Sequence, residues 1–431
     1  MVAFINIWNR RVGAVSWDEE RRLATMEFDE NFIKEGIDLS PIIMPLSKLI
    51  KGNRIYSFEN LPEITYKGLP GLLADSLPDR YGNRLINEWL AIQGRSEEDF
   101  STVDRLCYIG KRGMGALEYE PAILGKEDRS ESINIEELAE LARHVLNERK
   151  KLNPRSRISD KNTLNEIIRV GTSAGGARAK AVIAINNQTG GIRSGQVDVP
   201  EGFEHWILKF DGIKDNQLGE PAGYGRVEYA YHKMAKDAGI NMEECRLIEE
   251  NSRAHFMTKR FDRKPGNERI HMQTLCAIAH FDYNDPNSYS YEQLFQIIRK
   301  IRLPYADARE IYRRIVFNIA GKNLDDHTKN ISFLLRENQS WRLSPAYDLI
   351  YNHNPEGKWT RRHQMSVNGK RENISYNDLI TLGNENSIKS PKEIIEQVLE
   401  VLNNWKKYAK DIGLEKRRIE EINKNMELNI K

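Results

Sequence analysis

The sequence predicts an α+β fold in two parts: an N-terminal subdomain over residues 1–150, with a β-rich start followed by helices, and a larger part over residues 151–431 that combines strands with a helical C-terminal region. Short runs of alternating apolar and polar residues open the chain, as expected for strands with one buried face. The second part runs from short strands to helices and then to a hairpin, an order typical of α+β domains. A basic stretch broken by a proline, Arg149–Arg157, marks the boundary. We interpret it as a solvated linker, with a contact to phosphate or nucleic acid as the alternative.

Composition excludes several classes of protein. Hydrophobic residues make up 39% of the 431-residue chain and charged residues 30%, which is enough for packed cores. A formal net charge of +2 argues against wholesale binding to nucleic acid or to an anionic membrane. The three cysteines are too widely spaced for a metal site or a disulfide framework, which favours a reducing compartment. The N-terminus does not resemble a signal peptide and no run of about 20 apolar residues occurs, so we expect a cytoplasmic protein that is not embedded in a membrane.

The elements of the N-terminal subdomain follow from alternation and turn residues. Alternating runs predict three antiparallel strands: Val2–Trp8, Arg11–Trp17 and Leu23–Phe28. Arg10–Arg11 and Asp18–Arg21 are the predicted turns between them. We expect a loop that leads into a helix around Asp79–Leu85, and a second helix from about Ile135 to Lys150 on the spacing of its apolar residues.

The second part begins with strands and continues with helices. Apolar runs predict strands at Ala181–Ile185 and His205–Phe210. Helical spacing predicts three further segments: Arg226–Ala238, Tyr291–Arg302 and Asp307–Gly321. A hairpin is predicted from Ile331–Leu335 and Trp341–Leu343, and apolar residues recur at helical spacing from Ile394 to Trp405.

A glycine-rich loop precedes the first strand of the second part. Its sequence, GTSAGGARAK, covers Gly171–Lys180. Small side chains let backbone N–H groups approach phosphate oxygens, and glycine permits the dihedral angles that such a loop needs. The loop matches neither G-x-G-x-x-G nor a P-loop. By itself it fits a flexible turn equally well.

One lysine lies inside an apolar strand, WILKF. The charge of Lys209 is unfavourable among these residues unless it is paired. In protein kinases a lysine on such a strand contacts the α- and β-phosphates of ATP and is held by a glutamate of the following helix. Glu228 is the candidate for that glutamate. The alternatives are an edge-strand lysine that reaches solvent and an ordinary solvated glutamate.

The sharpest motif is NLDDHTKN at Asn323–Asn330. Asp325 and Asn330 have four residues between them, which is the spacing of a protein-kinase catalytic loop. Asp325 would orient the acceptor hydroxyl and accept its proton, and Asn330 would bind Mg²⁺. His327 is expected to be structural, bonding to backbone in the loop. A hydrolytic metal cluster of Asp325, Asp326 and His327 is the alternative, but it lacks further histidine ligands at useful spacing.

Asp348, in the segment SPAYD, follows the predicted hairpin. A kinase places its second magnesium-binding carboxylate at this point of the chain, although no Phe-Gly follows here. As an isolated feature Asp348 would also fit a helix N-cap. A phosphate loop, a lysine with its glutamate, an Asp–Asn pair and a second metal ligand thus occur in the order that phosphoryl transfer requires.

These motifs resemble the HipA family of toxin–antitoxin kinases. The resemblance rests on GTSAGGARAK, WILKF, the Glu228 helix, TKRFDR, DDHTKN and SPAYDLI, and on GLPGLLADSLPDRYG in the N-terminal part. It implies a bilobal, protein-kinase-like fold in which the β-rich subdomain packs on a kinase lobe and the C-terminal lobe is mostly helical. ATP and Mg²⁺ are the implied cofactors.

The resemblance assigns a role to each motif. It implies that Asp325 is the catalytic base and that Asn330 and Asp348 are ligands of magnesium. Ser173 matches the serine that such kinases phosphorylate on themselves, and Thr172 is the alternative acceptor. The remaining residues are expected to form the phosphate loop, the ATP lysine with its glutamate, the adenine-binding segment and the nucleotide side of the catalytic loop: Ala174, Gly175, Gly176, Ala177, Arg178, Ala179 and Lys180; Lys209 and Glu228; Lys259, Arg260 and Phe261; His327 and Lys329.

Partners are implied in the same way. Family members are restrained by a helix-turn-helix antitoxin of the HipB kind, so contact with DNA would be indirect. They act on a translation component, typically an aminoacyl-tRNA synthetase. We therefore expect a serine/threonine kinase toxin. The alternatives are a kinase with a different acceptor and a catalytically silent regulatory protein that binds ATP and a DNA-bound antitoxin.

Overall fold

The structure, a computed structural model, describes residues 1–123, 130–147, 178–212, 223–250, 253–357 and 359–426. The chain forms two compact units. Unit 1 comprises Met1–Ser40, Met44–Ala222 and Ile248–Met272, and unit 2 comprises Pro41–Ile43, Gly223–Leu247 and Gln273–Lys431. The boundary predicted near residue 150 lies outside the described residues and stays a prediction.

The first sheet of unit 1 confirms the three antiparallel strands predicted at the N-terminus. Its strand order is β4-β3-β2-β1-β5, with β1 (Val2–Ile7), β2 (Arg10–Asp18), β3 (Leu23–Phe28), β4 (Ile55–Tyr56) and β5 (Leu117–Glu120). Ala3, Ile5 and Ile7 are buried on one face of β1, whereas Val2 and Phe4 are exposed. This alternation is the period of two that a half-buried strand requires.

The turn predicted at Arg10–Arg11 is wrong by two residues. β1 ends at Ile7 and β2 begins at Arg10, so Trp8–Asn9 forms the turn. Both turn residues have positive φ, 47° and 61°, as a type I′ hairpin turn requires. Asn9 is therefore the turn signal, because asparagine tolerates this conformation, and the two arginines belong to the strand.

Short helices connect the strands of unit 1: α1 (Glu30–Lys34), α2 (Leu46–Leu49), α3 (Glu63–Tyr66), α4 (Gly71–Ala74), α5 (Arg80–Ile92), α6 (Thr102–Ile109) and α7 (Ile135–Asn147). Asp79 caps α5, since its side chain accepts a hydrogen bond from the backbone N–H of Gly82 at 2.7 Å. Ser101 and Asp104 form a capping box at the start of α6. The helix predicted from about Ile135 is confirmed.

The second sheet of unit 1 carries several of the predicted nucleotide residues. Its order is β7-β6-β8-β10-β9, with β6 (Lys180–Asn186), β7 (Ile192–Ser194), β8 (Phe203–Lys209), β9 (Cys245–Glu250, whose first three residues are in unit 2) and β10 (Arg253–Lys259). Trp89 of α5 and Tyr108 of α6 share one hydrophobic cluster with Ile183 of β6 and Trp206 of β8. Burial of this common apolar surface makes the N-terminal helices and the second sheet one folded unit.

Unit 2 is mostly helical, as predicted. Its elements are α8 (Tyr224–Asp237), β11 (His271–Thr274, whose first two residues are in unit 1), α9 (Leu275–Ala279), α10 (Tyr291–Lys300), α11 (Tyr305–Ala320), β12 (Ser332–Leu335), β13 (Arg342–Leu343), α12 (Tyr376–Glu385), α13 (Pro391–Asn403), α14 (Trp405–Asp411) and α15 (Lys416–Asn425). β12 and β13 pair antiparallel, which confirms the predicted hairpin. Among the described residues, no helix has the length and apolar character needed to cross a membrane.

Aromatic packing closes the core of unit 2. The Tyr231 ring lies edge-on to Phe317 at 5.9 Å and to Trp405 at 5.7 Å between ring centroids. Ile394 and Leu402 of α13 are fully buried, in agreement with the predicted helical spacing. The helix does not continue to Trp405, because α13 ends at Asn403 and Trp405 opens α14.

Buried histidines predict acid sensitivity. Burial, with a contribution from the Arg260 charge, lowers the pKa of His205 to about 4, and burial, with Lys236 and Lys233, does the same for His232. Burial alone lowers the pKa of His271 to about 3. Below pH 6.5 the histidines of the unfolded chain bind protons, whereas these buried histidines of the folded chain do not. Their contribution to the free energy of unfolding is therefore complete above that pH and is lost as the pH falls toward 4.

We expect the free energy of urea unfolding to fall by about 1 kcal/mol for each of these histidines between pH 7 and pH 5.5. The interval is chosen because buried carboxylates with a lowered pKa, such as that of Asp262, remain ionised throughout it. Equal stability at the two pH values would contradict neutral burial of the histidines.

Candidate active site

The predicted catalytic loop lies in unit 2, directly after α11. Asn323 connects the loop to the preceding helix and to the segment that contains Asp348. Its Nδ2 donates to Asn318 Oδ1 of α11 at 3.0 Å and to the backbone oxygen of Asp348 at 3.4 Å. Asn323 is itself buried. The loop and the predicted second metal ligand are thus brought together by one amide side chain.

The two adjacent aspartates of the loop have opposite environments. The Asp326 side chain is only 1% exposed, whereas the Asp325 side chain is 37% exposed. Asp326 accepts hydrogen bonds from Tyr291 Oη at 2.7 Å, His363 Nδ1 at 2.9 Å and the backbone N–H of Gln364 at 2.7 Å. Burial raises the pKa of Asp326, but His363 and these hydrogen bonds outweigh it and hold the pKa below its ordinary value. Asp326 therefore anchors the loop, and Asp325 is the carboxylate that solvent and a substrate can reach.

Asn330 is oriented by the loop backbone. Its Nδ2 donates to the carbonyl oxygen of Asp325 at 2.8 Å, and its backbone N–H donates to the carbonyl oxygen of His327 at 2.9 Å. Because the amide nitrogen is used in the first bond, Oδ1 of the same amide faces away from that carbonyl. An oxygen ligand on Asn330 is thus held in place by the residue predicted to act as the base.

The bond predicted between His327 and the loop backbone is wrong. Among the described residues, no hydrogen-bond partner faces the buried Nδ1 of His327. Its Nε2 lies 3.8 Å from Asp325 Oδ1, and its ring packs against Tyr283 with centroids 5.5 Å apart. Lys329 places its Nζ 4.7 Å from the centroid of the same tyrosine ring. Contact of His327 or Lys329 with a nucleotide stays a prediction.

Asp348 has a left-handed backbone conformation, with φ +54°. Aspartate is among the few non-glycine residues that tolerate this region. Residues 349–354 are not helical, so the alternative interpretation of Asp348 as a helix N-cap is excluded. The hydrogen bond from Ala346 N–H to the Asn241 carbonyl, at 2.8 Å, fixes the backbone just before it.

In unit 1, Lys209 is the last residue of β8 and lies opposite Lys180 of β6 in the strand register. Lys180 Nζ lies 3.1 Å from Asp79 Oδ2, and both side chains are almost fully buried, at 4% and 6% exposure. Lys209 is only partly buried, with its Nζ 5.5 Å from the centroid of the Phe256 ring. Side chains directly opposite on paired strands share a face, so Lys209 and Lys180 are neighbours, and the Asp79 carboxylate compensates the charge of the buried one.

The predicted adenine-binding segment, Lys259–Phe261, begins at the last residue of β10. The buried guanidinium of Arg260 donates from Nε to Asp262 Oδ1 at 2.9 Å and from Nη2 to Asp262 Oδ2 at 2.7 Å. Burial raises the pKa of Asp262, but the charges of Arg260 and Arg263 outweigh it and lower that pKa. The Lys259 side chain pairs with Glu204, and Phe261 is buried. The predicted role of this segment in adenine binding therefore falls to its backbone.

For several of the predicted nucleotide-binding residues, the structure does not test whether they form one site. Ser173 and the phosphate-loop residues Ala174–Ala177 lie outside the described residues. Arg178 is partly buried, and Ala179 is buried, with its carbonyl accepting from Phe210 N–H at 3.1 Å. Glu228 is buried on α8 in unit 2, whereas Lys209 belongs to unit 1. Their ion pair stays a prediction.

Sequence reasoning missed the anchors of the site. Asp326, Tyr291 and His363 form one buried group, and Asp79 pairs with Lys180. In the sequence Asp326 stands only beside the proposed base and in the alternative metal cluster, which does not tell which of two aspartates is buried. Asp79 is predicted only as part of a loop that leads into a helix, which does not indicate a lysine partner on β6.

The chain matches two family models. The HipA N-terminal domain matches residues 3–120, and the HipA-like C-terminal domain matches residues 172–430. The chain belongs to the HipA family. A chain from the complex of Shewanella oneidensis HipA, HipB and operator DNA has a TM-score of 0.67 at 18% identity, covering 98% of this chain and 94% of that chain. This match confirms the predicted fold class, α+β and kinase-like.

Curated relatives match over shorter segments. A candidate kinase of Haemophilus influenzae is 30% identical over 136 residues, which are 28% of this chain and 40% of the relative. The serine/threonine-protein kinase toxin HipA of Shewanella oneidensis is 24% identical over 143 residues, which are 28% of this chain and 33% of the relative. The chain thus matches less than half the length of these curated relatives.

The two aspartates of the loop should differ sharply in their effect on stability. Asp326→Asn removes a buried charge that three donors satisfy, so we expect it to lower the free energy of unfolding by about 3 kcal/mol. The matched variant Asp325→Asn changes a partly exposed side chain and should alter stability by less than about 0.5 kcal/mol. Chemical unfolding of both variants measures the difference, and equal losses would contradict the anchor role of Asp326.

The Lys180–Asp79 pair should behave as a buried ion pair in a double-mutant cycle. Lys180→Met alone leaves a buried carboxylate and should cost about 3 kcal/mol. In combination with Asp79→Asn, which keeps a good helix cap, the loss should be smaller than the sum of the single losses by about 1 kcal/mol or more. The exposed pair Arg21–Glu59 serves as the control, with an expected coupling below about 1 kcal/mol. Strict additivity at Lys180 and Asp79 would refute the pairing.

Proposed function

We propose that this protein is an ATP- and Mg²⁺-dependent serine/threonine protein kinase, the toxin of a toxin–antitoxin pair. The observation that carries the proposal is the arrangement of the catalytic loop. The solvent-accessible carboxylate of Asp325 lies next to the buried carboxylate of Asp326, which anchors the loop. The backbone carbonyl of Asp325 orients the side-chain amide of Asn330. Membership of the HipA family and the names of its relatives support the same conclusion.

The available ligands fit magnesium. Mg²⁺ prefers oxygen ligands and usually takes one or two protein groups together with water and phosphate oxygens. Asn330 Oδ1 and the Asp348 carboxylate are the proposed protein ligands. Within the described part of the chain, no group of three or more His, Cys, Asp or Glu side chains is placed to hold a metal. The proposal therefore relies on two protein ligands. When bound, Mg²⁺ neutralises charge on the phosphates of ATP.

The residues of this chain have distinct proposed tasks. Asp325 accepts a hydrogen bond from the acceptor hydroxyl and receives its proton as the hydroxyl oxygen bonds to the γ-phosphorus of ATP. The bond from that phosphorus to the oxygen that bridges to the β-phosphate breaks in the same step, and ADP leaves with the bridging oxygen. Lys209, held by Glu228, binds phosphate oxygens of ATP. The backbone of Lys259–Phe261 binds the adenine ring. Ser173, in the phosphate loop, is the proposed site of autophosphorylation, because it matches the serine that kinases of this family phosphorylate on themselves. A phosphate there would compete with those of ATP for the same loop and so silence the enzyme.

The proposed partners follow from the family. The structural relative is part of a complex with HipB and operator DNA, which supports a HipB-like antitoxin for this chain and only an indirect contact with DNA. A translation component such as an aminoacyl-tRNA synthetase is the proposed substrate. We place the protein in the cytoplasm on this basis.

Labelling with radioactive ATP and Mg²⁺ tests the kinase proposal. Wild-type protein should incorporate label on Ser173, located by mass spectrometry, and Asp325→Ala should reduce the rate by at least about 100-fold, because the base acts in the transition state. Ser173→Ala should bind ATP but incorporate no label. Asp411→Ala, at an exposed position of α14, is the matched control and should label normally.

The other results decide between the alternatives. Label on another residue, still dependent on Asp325, would keep the kinase and remove Ser173 as the acceptor. Absence of label, with ATP bound and Ser173 free of phosphate at the start, would favour the silent regulatory protein.

A further inference from the structure

One buried amide lies between the two parts of the candidate site. Asn318, near the C-terminus of α11, is only 9% exposed. Its Nδ2 donates to Tyr291 Oη at 3.4 Å, and its Oδ1 accepts from Asn323 Nδ2 at 3.0 Å. Its backbone carbonyl also accepts from Asn323 N–H at 2.9 Å. Asn318 thus contacts α10 on one side and the start of the catalytic loop on the other.

The hydrogen bonds continue from both of these neighbours. Tyr291 Oη donates at 2.7 Å to Asp326, the residue that follows the proposed base. Asn323 Nδ2 donates to the backbone oxygen of Asp348 at 3.4 Å. We call these five residues, all in unit 2, the polar chain: Asp326, Tyr291, Asn318, Asn323 and Asp348. The polar chain therefore joins the catalytic loop to the backbone of the proposed metal ligand.

The charge of Asp326 determines the direction of each bond in the polar chain. An ionised carboxylate only accepts hydrogen bonds, so the single hydroxyl proton of Tyr291 is used on Asp326. Tyr291 Oη can then only accept from Asn318, so Nδ2 of Asn318 faces the tyrosine and its Oδ1 faces the loop. Asn323 must in turn present its Nδ2 to that oxygen. The orientation of both amides thus follows from one buried charge.

The amide of Asn323 keeps this orientation at the expense of its oxygen. Its Oδ1 is buried and, within the described parts of the chain, has no hydrogen-bond partner. Turning the amide over would place that oxygen against two acceptors, Asn318 Oδ1 and the Asp348 carbonyl. A buried acceptor without a partner is unfavourable, but two pairs of facing acceptors are worse. The two bonds donated by Nδ2 therefore fix the Asn323 side chain.

The last bond of the polar chain acts on the conformation of Asp348. A hydrogen bond to its carbonyl oxygen fixes the peptide plane that follows Asp348, and the bond from Ala346 N–H to the Asn241 carbonyl fixes the backbone before it. Asp348 itself has a left-handed backbone conformation, which is uncommon outside glycine. The direction of the Asp348 carboxylate thus depends on the support that Asn323 supplies.

We propose that Asn318 is a positioning residue, which holds the catalytic loop and Asp348 in the relative position that phosphoryl transfer needs. It acts through Tyr291 on the loop and through Asn323 on Asp348, rather than by contact with ATP or metal. The inference rests on the kinase function proposed above, because that function makes the loop and Asp348 two parts of one site. Small displacements matter there, since a shift of about 1 Å can slow a reaction about 100-fold.

Asn318→Ser in the full-length protein tests the proposal. Serine in a helix can donate to the carbonyl four residues before it, so the buried position stays polar, but its side chain is too short to bridge Tyr291 and Asn323. With radioactive ATP and saturating Mg²⁺, we expect autophosphorylation to slow about tenfold. The ATP concentration that gives half of the maximal rate should change by less than about twofold, because Asn318 acts on the reacting groups and not on ATP binding.

Binding of Mn²⁺ gives a readout that does not depend on turnover. Mn²⁺ takes the same oxygen ligands as Mg²⁺, and electron paramagnetic resonance follows its binding to the protein with a non-hydrolysable ATP analogue. Residues that orient a metal ligand contribute about 10- to 100-fold to metal affinity, so Asn318→Ser should weaken Mn²⁺ binding about tenfold. A residue needed only for folding would not change this affinity in folded protein.

Two further variants separate positioning from stability. Asn386→Ser is the matched control, because this amide of unit 2 also donates to one neighbour, the Leu382 carbonyl, and accepts from another, Arg299. It should lower the unfolding temperature and leave the labelling rate and the Mn²⁺ affinity unchanged. Tyr291→Phe breaks the polar chain at the next bond. The combined variant Tyr291→Phe/Asn318→Ser should therefore lose less than the product of the two single losses in rate.

Several outcomes would overturn the proposal: an unchanged rate and Mn²⁺ affinity in folded Asn318→Ser, equal losses in Asn386→Ser, or strictly multiplicative losses with Tyr291→Phe. Should Asn318→Ser not fold, Tyr291→Phe alone decides, and it must show both losses. Absence of label in the wild type would instead refute the proposed kinase function. The Mn²⁺ titration would then still decide whether Asn318 positions Asp348.

Discussion

The buried carboxylate of Asp326 is the constraint on which the candidate site depends. A desolvated carboxylate is unfavourable by several kcal/mol unless hydrogen bonds and charge compensate it. Here the hydroxyl of Tyr291, the imidazole of His363 and the backbone N–H of Gln364 do so. These donors come from α10 and from the segment beyond Asp348, so their convergence on one side chain fixes the loop relative to both. Any loop conformation that exposed Asp326 would leave the donors unsatisfied.

Burial of charge has a similar role in unit 1. Lys180 with Asp79, and Arg260 with Asp262, are buried ion pairs close to the ends of strands that carry predicted nucleotide residues. Such pairs add little net stability compared with apolar residues, but breaking one leaves an uncompensated charge. They therefore restrict the strand ends to one arrangement. Asp79 also caps α5, so a helix of the N-terminal subdomain is linked directly to β6.

The sequence was sufficient for the features that depend on local pattern. Alternation predicted β1–β3, helical spacing predicted α7, α8 and α13, and the Asp–Asn spacing singled out the loop. It failed where the deciding interaction is local but subtle, as at Trp8–Asn9, where positive φ rather than charge defines the turn. It also failed where the partner is distant in the chain. Nothing near Asp326 in the sequence indicates that His363 bonds to it, and nothing near Lys180 indicates Asp79.

Burial also limits which basic residues can serve a nucleotide. Lys180 and Arg260 are desolvated and already pair with aspartates, so turning either side chain toward a phosphate would cost several kcal/mol for the carboxylate left behind. Lys209 and Arg178 are only partly buried, so moving either side chain involves a smaller change in solvation. Burial therefore divides the predicted basic residues into two groups. Lys180 and Arg260 hold the strands, whereas the proposed contact with phosphate oxygens falls to the partly buried Lys209 and Arg178.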